Sequence, residues 1–273
     1  MTPEPDRDWL AARFEEERTH LRAVAYRMLG SSAEADDAVQ DAWLRVARSD
    51  AGGVQNLGGW LTTIVARLCL DRLRARAKRP EAHVGVHLPD PIVSRLGSAG
   101  FAEAADPAAE VELADSVGLA MLVLLETLTP PERLAFVLHD TFGLPFEEIA
   151  PIVGRTTEAA RQLASRARRR VRGAGTEDAV AERTAGRASP RRQRELVLAF
   201  LAAARDGKFE ALLRLLDPQV VARVDTGDGS SPLGRSRELR GAEVVARSAF
   251  GFRNLAPGAR LVAVNGSPGF VVL

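Results

Sequence analysis

The sequence predicts a mainly α-helical protein: two helical domains joined by a linker, then a small α+β domain. Three observations carry this. Apolar residues recur at helical spacing through residues 9–79 and again through 113–173. Periodicity vanishes amid Gly, Pro and small side chains in between, and again at 174–190. After residue 190 a helix pair gives way to short β-like runs, VVARV at 220–224, RLVAV at 260–264 and GFVVL at 269–273. The expected boundaries are therefore 1–80, a flexible linker at 81–111, 112–173, a second linker at 174–190, and 191–273.

The first domain opens with two helices over 9–48. Leu21, Val24, Ala25 and Met28 share one helix face, and Gly30 ends the run. Ser31 with Glu34 then forms a capping box for a helix whose apolar face is Val39, Ala42, Trp43 and Val46. SDAGGVQNLGG (49–59) reads as a loop, and Leu61, Ile64, Val65 and Leu68 begin a third helix that turns basic toward Arg79. In the second domain, Thr129-Pro130-Pro131-Glu132 supplies another capping box, with proline at the first helical position. That helix ends near Gly143. FEEIAPIV, with Pro145 at its first helical position, then Gly154 and then TTEAARQLASRARRRVR give short helix, turn and second helix, a helix-turn-helix pattern. The last helix buries Ala160, Leu163, Ala164, Ala167 and Val171 on one side.

Composition narrows the function classes. Of 273 residues, 46% are hydrophobic and only 5% aromatic, which favours helices built on aliphatic packing. Cys69 is the single cysteine, so intrachain disulfides and thiolate metal clusters are excluded. MTPEPDRDWL lacks the apolar core of a signal peptide, and no apolar run approaches spanning length. A cytoplasmic protein without a membrane partner is expected. The formal net charge is +1, but it is segregated: FEEE (14–17) and AEADDAVQD (33–41) are acidic, whereas 67–79, 161–172 and RRQR (191–194) are basic. Different segments should therefore meet different partners.

Three surfaces are candidates. In a helix-turn-helix the second helix enters the major groove, which assigns base contacts to Glu158, Arg161, Gln162 and Ser165. Arg155, Thr156, Arg168, Arg169 and Arg172 complete that surface, the arginines as phosphate contacts that set the register. On the third helix Trp60, Thr63, Arg67, Arg74 and Lys78 form an aromatic-led basic stripe, with Asn56 at its head, suited to stacking an unpaired base while cations follow the backbone. On the second helix Glu34, Asp37 and Asp41 form an acidic row opposite Val39, Ala42, Trp43 and Val46, and with Trp43 they are the candidate docking surface for a basic partner. No histidine or cysteine joins that row, and His83 and His87 lie in the linker without a companion ligand, so no metal or other cofactor is expected.

LRAVAYRMLGSSAEADDAVQDAWLRVARSD, NLGGWLTTIVARLCLDRLRARAKR and LTPPERLAFVLHDTFGLPFEEIAPIVGRTTEAARQLASRARRRV, in that order, resemble a bacterial extracytoplasmic-function sigma factor. The resemblance implies core RNA polymerase as a partner, through its β′ clamp helices at DDAVQDAWLRV and its β flap, and promoter DNA as the other. It implies that 49–79 recognises and helps melt the minus-ten element and that 144–172 reads the minus-thirty-five element. HLPDPIV (87–93) and the tail resemble the subgroup with a SnoaL-like (NTF2-like) C-terminal extension, although DTGDGS (225–230) lacks the lysine usual in that loop and the domain looks truncated at Leu273. That resemblance implies an intramolecular contact of the C-terminal domain with the sigma domains, standing in for a separate anti-sigma protein. Two other readings remain: a helix-turn-helix regulator acting without polymerase, and a SnoaL-like cyclase or isomerase fused to a DNA-binding module. The second is weakened by the absence of histidine after residue 190. Its nearest carboxylates, Asp225 and Asp228, sit in a Gly/Ser loop. No catalytic residue is expected.

Overall fold

The computed structural model describes residues 7–49, 54, 56–78, 88–96, 102–103, 119–173, 190–226, 236–251 and 253–272. The loop at 51–53, His83, His87, Asp228, the linker at 174–189 and the side chain of Arg172 lie outside the described residues. The chain divides into two compact units, 1–80 with 120–185, and 81–119 with 186–273. The two helical domains thus cluster together, and the segment expected as a flexible linker groups with the C-terminal residues.

The first unit begins with α1 (Arg7–Leu29), α2 (Ser32–Val46) and α3 (Leu57–Ala77). Leu21, Val24, Ala25 and Met28 of α1, Ala42 and Val46 of α2, and Leu61 and Val65 of α3 are fully buried, as their spacing predicts. Gly30 (φ 76°) takes the left-handed conformation that ends α1, and Ser31 Oγ accepts from the Glu34 N–H at 3.4 Å to start α2. Only half of that capping box forms as read, because the Glu34 carboxylate turns to Arg76 of α3.

The second helical domain comprises α4 (Leu119–Glu126), α5 (Pro130–Phe136), a π-helical turn (Val137–Thr141), α6 (Phe146–Val153) and α7 (Thr157–Gly173). At the start of α5 the Glu132 carboxylate accepts from Thr129 N–H (3.1 Å) and Thr129 Oγ1–H (2.7 Å). Pro145 is the N-cap of α6, in extended conformation, and not its first helical residue. It cannot cap through a side chain, and the His139 ring stacks on Phe146 at 3.9 Å while its Nδ1 meets the Leu144 carbonyl at 2.9 Å. Gly154 (φ 69°) makes the turn into α7, where Ala160, Ala164 and Ala167 are fully buried and Val171 is buried.

The second unit holds β1 (Val93–Leu96), β2 (Ala102–Glu103), α8 (Pro190–Arg205), α9 (Phe209–Leu215), β3 (Val221–Val224), β4 (Arg237–Arg240), α10 (Ala242–Gly251), β5 (Ala259–Val264) and β6 (Ser267–Val272). An antiparallel sheet runs in the order β2-β1-β5-β6, and β3 pairs with β4 separately. Ala203, Ala204, Leu212, Ala246 and Ala256 form its buried cluster, flanked by Phe200 and Phe209. Strands β1 and β2 lie within 81–111, the stretch expected as a flexible linker. Val93 and Ser94 pair with Val264 and Ala263, and two further bonds pin the preceding residue: Asn265 N–H donates to the Ile92 carbonyl at 2.8 Å, and Ile92 N–H to Asn265 Oδ1 at 3.1 Å. Asn265 (φ 47°) and Gly266 (φ 74°) form the two-residue turn joining β5 and β6, a geometry these residue types favour.

Candidate nucleic-acid interface

Helix α7 presents its polar side as the sequence predicts. Arg155, Thr156, Glu158, Arg161, Gln162, Ser165 and Arg169 are exposed. Their states differ. Thr156 Oγ1 accepts from Ala159 N–H at 3.2 Å, which makes it the helix cap. Arg161 bridges to Glu158 at 2.9 Å and lies over the Phe146 ring at 5.5 Å, so its guanidinium is parked but exposed. Arg168 is half-buried, its Nε donating to Asp140 at 2.7 Å, which ties α7 to the π-helical turn. Arg170 donates to Glu132 Oε2 at 2.6 Å, onto a carboxylate only 4% exposed. Of the arginine block, then, Arg168 and Arg170 fasten α7 to its own domain. Arg155, Arg161, Arg166 and Arg169 carry the exposed cationic surface.

On α3, Asn56 Oδ1 accepts from Gly59 N–H at 3.0 Å and caps the helix, and Thr63 Oγ1–H donates to the Gly59 carbonyl at 2.9 Å. Trp60 is half-buried. Arg67, Arg74 and Lys78 are exposed, with Arg74 3.7 Å from Asp71 and Arg67 Nη2 donating to the Pro151 carbonyl of α6 at 3.4 Å. Asn56, Gly59, Trp60 and Thr63 line a shallow cleft of about 360 Å³ whose other wall is Glu147, Glu148 and Pro151 of α6.

The acidic row on α2 is largely answered inside the molecule. Arg72 donates to Asp41 Oδ2 at 2.6 Å and to the Glu34 carbonyl at 3.0 Å, and Arg76 pairs with the Glu34 carboxylate. Asp37 is exposed. Trp43 packs its ring against Phe14 of α1 at 5.2 Å and is half-buried. Arg72 and Arg76, off the predicted stripe, are thus ion-pair partners of α2.

Sequence reasoning missed Arg133. It is 3% exposed, and its Nε and Nη2 donate to the Arg27 carbonyl of α1 at 3.3 and 3.2 Å. Burial pushes its guanidinium down to about 10, against the raising field of Glu126, so it stays charged at neutral pH. Its only sequence signal, a basic residue inside the apolar stretch RLAFVL, does not name a partner.

In the second unit, Asp225 accepts from Leu88 N–H at 2.8 Å and from Ser236 Oγ–H at 3.1 Å, which gives this carboxylate a structural task. A cavity of about 460 Å³ is lined by thirteen residues, including Phe200, Val224, Leu239 and Phe270, of which Ser248 is the one with a polar side chain. No group of three His, Cys, Asp or Glu capable of holding a metal occurs among the described residues. No helix among them is long and apolar enough to cross a membrane.

A helix-turn-helix with an exposed cationic reading helix, beside a second basic helix headed by tryptophan, defines a DNA-binding protein. Comparison with known proteins makes the class specific. Residues 13–79 match the model of Sigma-70 region 2 and residues 118–171 that of Sigma-70 region 4. The chain is 40% identical over 261 residues to the ECF RNA polymerase sigma factor SigJ of Mycobacterium tuberculosis (strain ATCC 25618 / H37Rv), covering 94% of this chain and 78% of that relative. It is 36% identical over 233 residues to the probable ECF RNA polymerase sigma factor SigI of Mycobacterium tuberculosis (strain CDC 1551 / Oshkosh), covering 84% and 74%. The crystal structure of Mycobacterium tuberculosis extracytoplasmic function sigma factor SigJ aligns with a TM-score of 0.71 at 36% identity, over 96% of this chain and 84% of that one. The chain belongs to the extracytoplasmic-function family of RNA polymerase sigma factors, which are not enzymes and which bind core RNA polymerase and promoter DNA. The match also spans the C-terminal α+β unit, in keeping with its SnoaL-like resemblance. A regulator acting without polymerase and a fused cyclase are not favoured.

Proposed function

We propose that this sigma factor reads the minus-thirty-five element through α7 and the minus-ten element through α3, and docks on the β′ clamp helices through α2. Arg161, Glu158, Gln162 and Ser165 meet base edges, while Arg155, Arg169 and Arg172, with Arg168 at the margin, meet phosphates. Asn56, Trp60, Thr63, Arg67, Arg74 and Lys78 handle the opened strand. Glu34, Asp37, Asp41 and Trp43 face the polymerase, the β flap receiving the second helical domain. The observation that supports this best is the uninterrupted exposed row from Arg155 to Arg169 on the second helix of a helix-turn-helix. The protein works in the cytoplasm, with core polymerase.

The C-terminal unit regulates this activity. The chain connecting the two helical domains passes through it: β1 pairs with β5, and Asn265 and Asp225 hold Ile92 and Leu88. A change that breaks those contacts would therefore release Leu88, Ile92, Val93 and Ser94 from the unit.

Run-off transcription with core polymerase tests the assignment. Transcripts should require this chain. Trp60→Ala should keep duplex binding while permanganate reactivity at the start site falls, and Asp37→Lys should lower affinity for core polymerase. Core polymerase that binds the chain no better than serum albumin does would overturn the reading.

A further inference from the structure

The cavity of the α+β unit is built by strand and helix periods. On β3, Ala222 and Val224 face it, while Arg223 between them turns away and donates to Glu238 of β4 at 2.9 Å. Leu239, opposite Ala222 in register, continues the same face on β4. Val245, Ser248 and Ala249 share one side of α10, and Phe200 and Ala204 one side of α8. Phe270 and Val272, two positions apart on β6, bring in the other sheet. Arg205 Nε donates to the Ala256 carbonyl at 3.0 Å and so holds the turn at Leu255 and Ala256 against the same space. The cavity measures about 460 Å³, inside the roughly 300–1,000 Å³ range of small-molecule sites. Exposed Leu255, Phe270 and Val272 mark its mouth. Among the described residues no charged side chain lines it, and the Ser248 hydroxyl is its one polar side chain. The Phe200 and Phe270 rings stand 6.4 Å apart and 26° from parallel on its wall.

We propose that this cavity binds an uncharged, mostly apolar aromatic molecule carrying one hydrogen-bonding group, and that occupancy tightens the hold of the unit on residues 88–94. The lining selects the chemistry. A charged ligand would lose its hydration here and find no counter-charge, and water would find too few polar partners to fill the space. A peptide strand would bring N–H and C=O groups that a single hydroxyl cannot satisfy. A flat ring gains aromatic contact on Phe200 and Phe270, and Ser248 can fix one polar atom. Without a carboxylate, imidazole or amine on its walls, the cavity binds its ligand and leaves it unchanged. The coupling follows from chain neighbours. Val224 directly precedes Asp225, which accepts from Leu88 N–H at 2.8 Å. Phe270 pairs with Leu261 of β5, the strand whose Ala263 and Val264 pair with Ser94 and Val93. A ligand touching Val224 and Phe270 braces both attachments together. This second part rests on the regulatory role proposed above for the C-terminal unit.

The test titrates the full chain with N-phenylnaphthylamine, a neutral dye with one N–H, and with its charged relative anilinonaphthalene sulfonate. The neutral dye should bind saturably, one per chain, and at least about tenfold more tightly than the sulfonate. Ser248→Asp, which places a charge in the cavity, and Ala249→Phe, which fills it, should each weaken the neutral dye by a similar factor. Val221→Ser removes an exposed apolar side chain outside the lining and should bind as the parent does. Circular dichroism melts identify which variants are folded. Absent saturation, equal affinity for the two dyes, or parent-like binding in both cavity variants overturns the site. Dye binding that falls with rising protein concentration as a dimer appears in sedimentation assigns the cavity to a second copy and overturns it too. With the dye about tenfold above its Kd, amide exchange at Leu88 and Ile92 should slow up to about tenfold, because openings that need an empty cavity become that much rarer. Bound dye with unchanged exchange sinks the coupling and keeps the site. Bound dye that slows exchange but leaves run-off transcription unchanged keeps both and counts against the regulatory role itself.

Discussion

Cys69 is fully buried on α3, and burial pushes its thiol from 9.0 up to about 12, against the lowering fields of Arg72 and Arg133. A thiol held so far above neutral pH supplies almost no thiolate, so a disulfide-exchange reagent at pH 8 should leave the native chain unlabelled and label it fully in concentrated urea. The sign of the linkage follows from the same shift. Below pH 9 both folded and unfolded thiols are protonated and the contribution is full. Between about 9 and 12 the unfolded chain releases a proton that the folded chain keeps, so stability falls with rising pH, by up to about 1.4 kcal/mol per unit from this group. Urea titrations at pH 8 and 10 would measure it. At the reading helix, Arg161→Ala should cost about 1–3 kcal/mol on cognate duplex and relax specificity at one base pair, if the guanidinium leaves Glu158 for guanine. Arg169, exposed, should behave as a phosphate contact: Arg169→Ala weakens all sequences evenly and lowers the salt slope by about one, read from binding isotherms at several salt concentrations. Arg168→Ala removes the bond to Asp140 and should therefore lower stability as well as affinity.

Individual elements carry two further tests. Gly154 sets the angle between α6 and α7 with φ 69°, and a Cβ added there would meet nothing within 4 Å. Gly154→Ala therefore costs backbone strain alone, about 1–2 kcal/mol by urea unfolding, with a larger loss in duplex affinity as α7 is re-aimed. The turn between β5 and β6 is the counterpart in the second unit. Asn265→Ala removes both a residue tolerant of φ 47° and the acceptor for Ile92 N–H. Amide exchange over 88–96 should accelerate markedly while α2 and α3 keep their protection. Unchanged exchange there would mean that the strand pairing of β1 and the Asp225 bond to Leu88 hold the segment without Asn265.

For the molecule as a whole, the partition into units decides what a truncation means. Removing 191–273 takes away Asp225, β5 and the turn that holds Ile92, so Leu88, Ile92, Val93 and Ser94 lose their partners along with any regulatory contact, while Arg95 and Leu96 keep their pairing with β2. The shortened chain should still bind core polymerase, since both sigma regions remain, but its run-off activity should differ from that of the full chain. Identical activity would show that the C-terminal unit has no regulatory part.

The sequence by itself determined the helices, their caps and their buried faces. Those properties depend on residues three or four positions apart: Ser31 with Glu34, Thr129 with Glu132, and the alanine face of α7 all declare themselves locally. The same locality made the exposed row on α7 readable, because a helix turns each residue to a known side. Only the tertiary structure decided how charges were spent. Arg72 finds Asp41 across 31 residues, Arg133 finds the Arg27 carbonyl across 106, and Ile92 finds Asn265 across 173. Nothing in a local pattern distinguishes an arginine that will meet phosphate from one that will meet a carboxylate or a carbonyl on another helix. The difference lies in which surfaces the packing of apolar faces brings together. The expected flexible linker shows the same dependence: VSRL, at 93–96, has no helical period and little strand signal, and it forms β1 because an edge of β5 offers hydrogen bonds to its backbone.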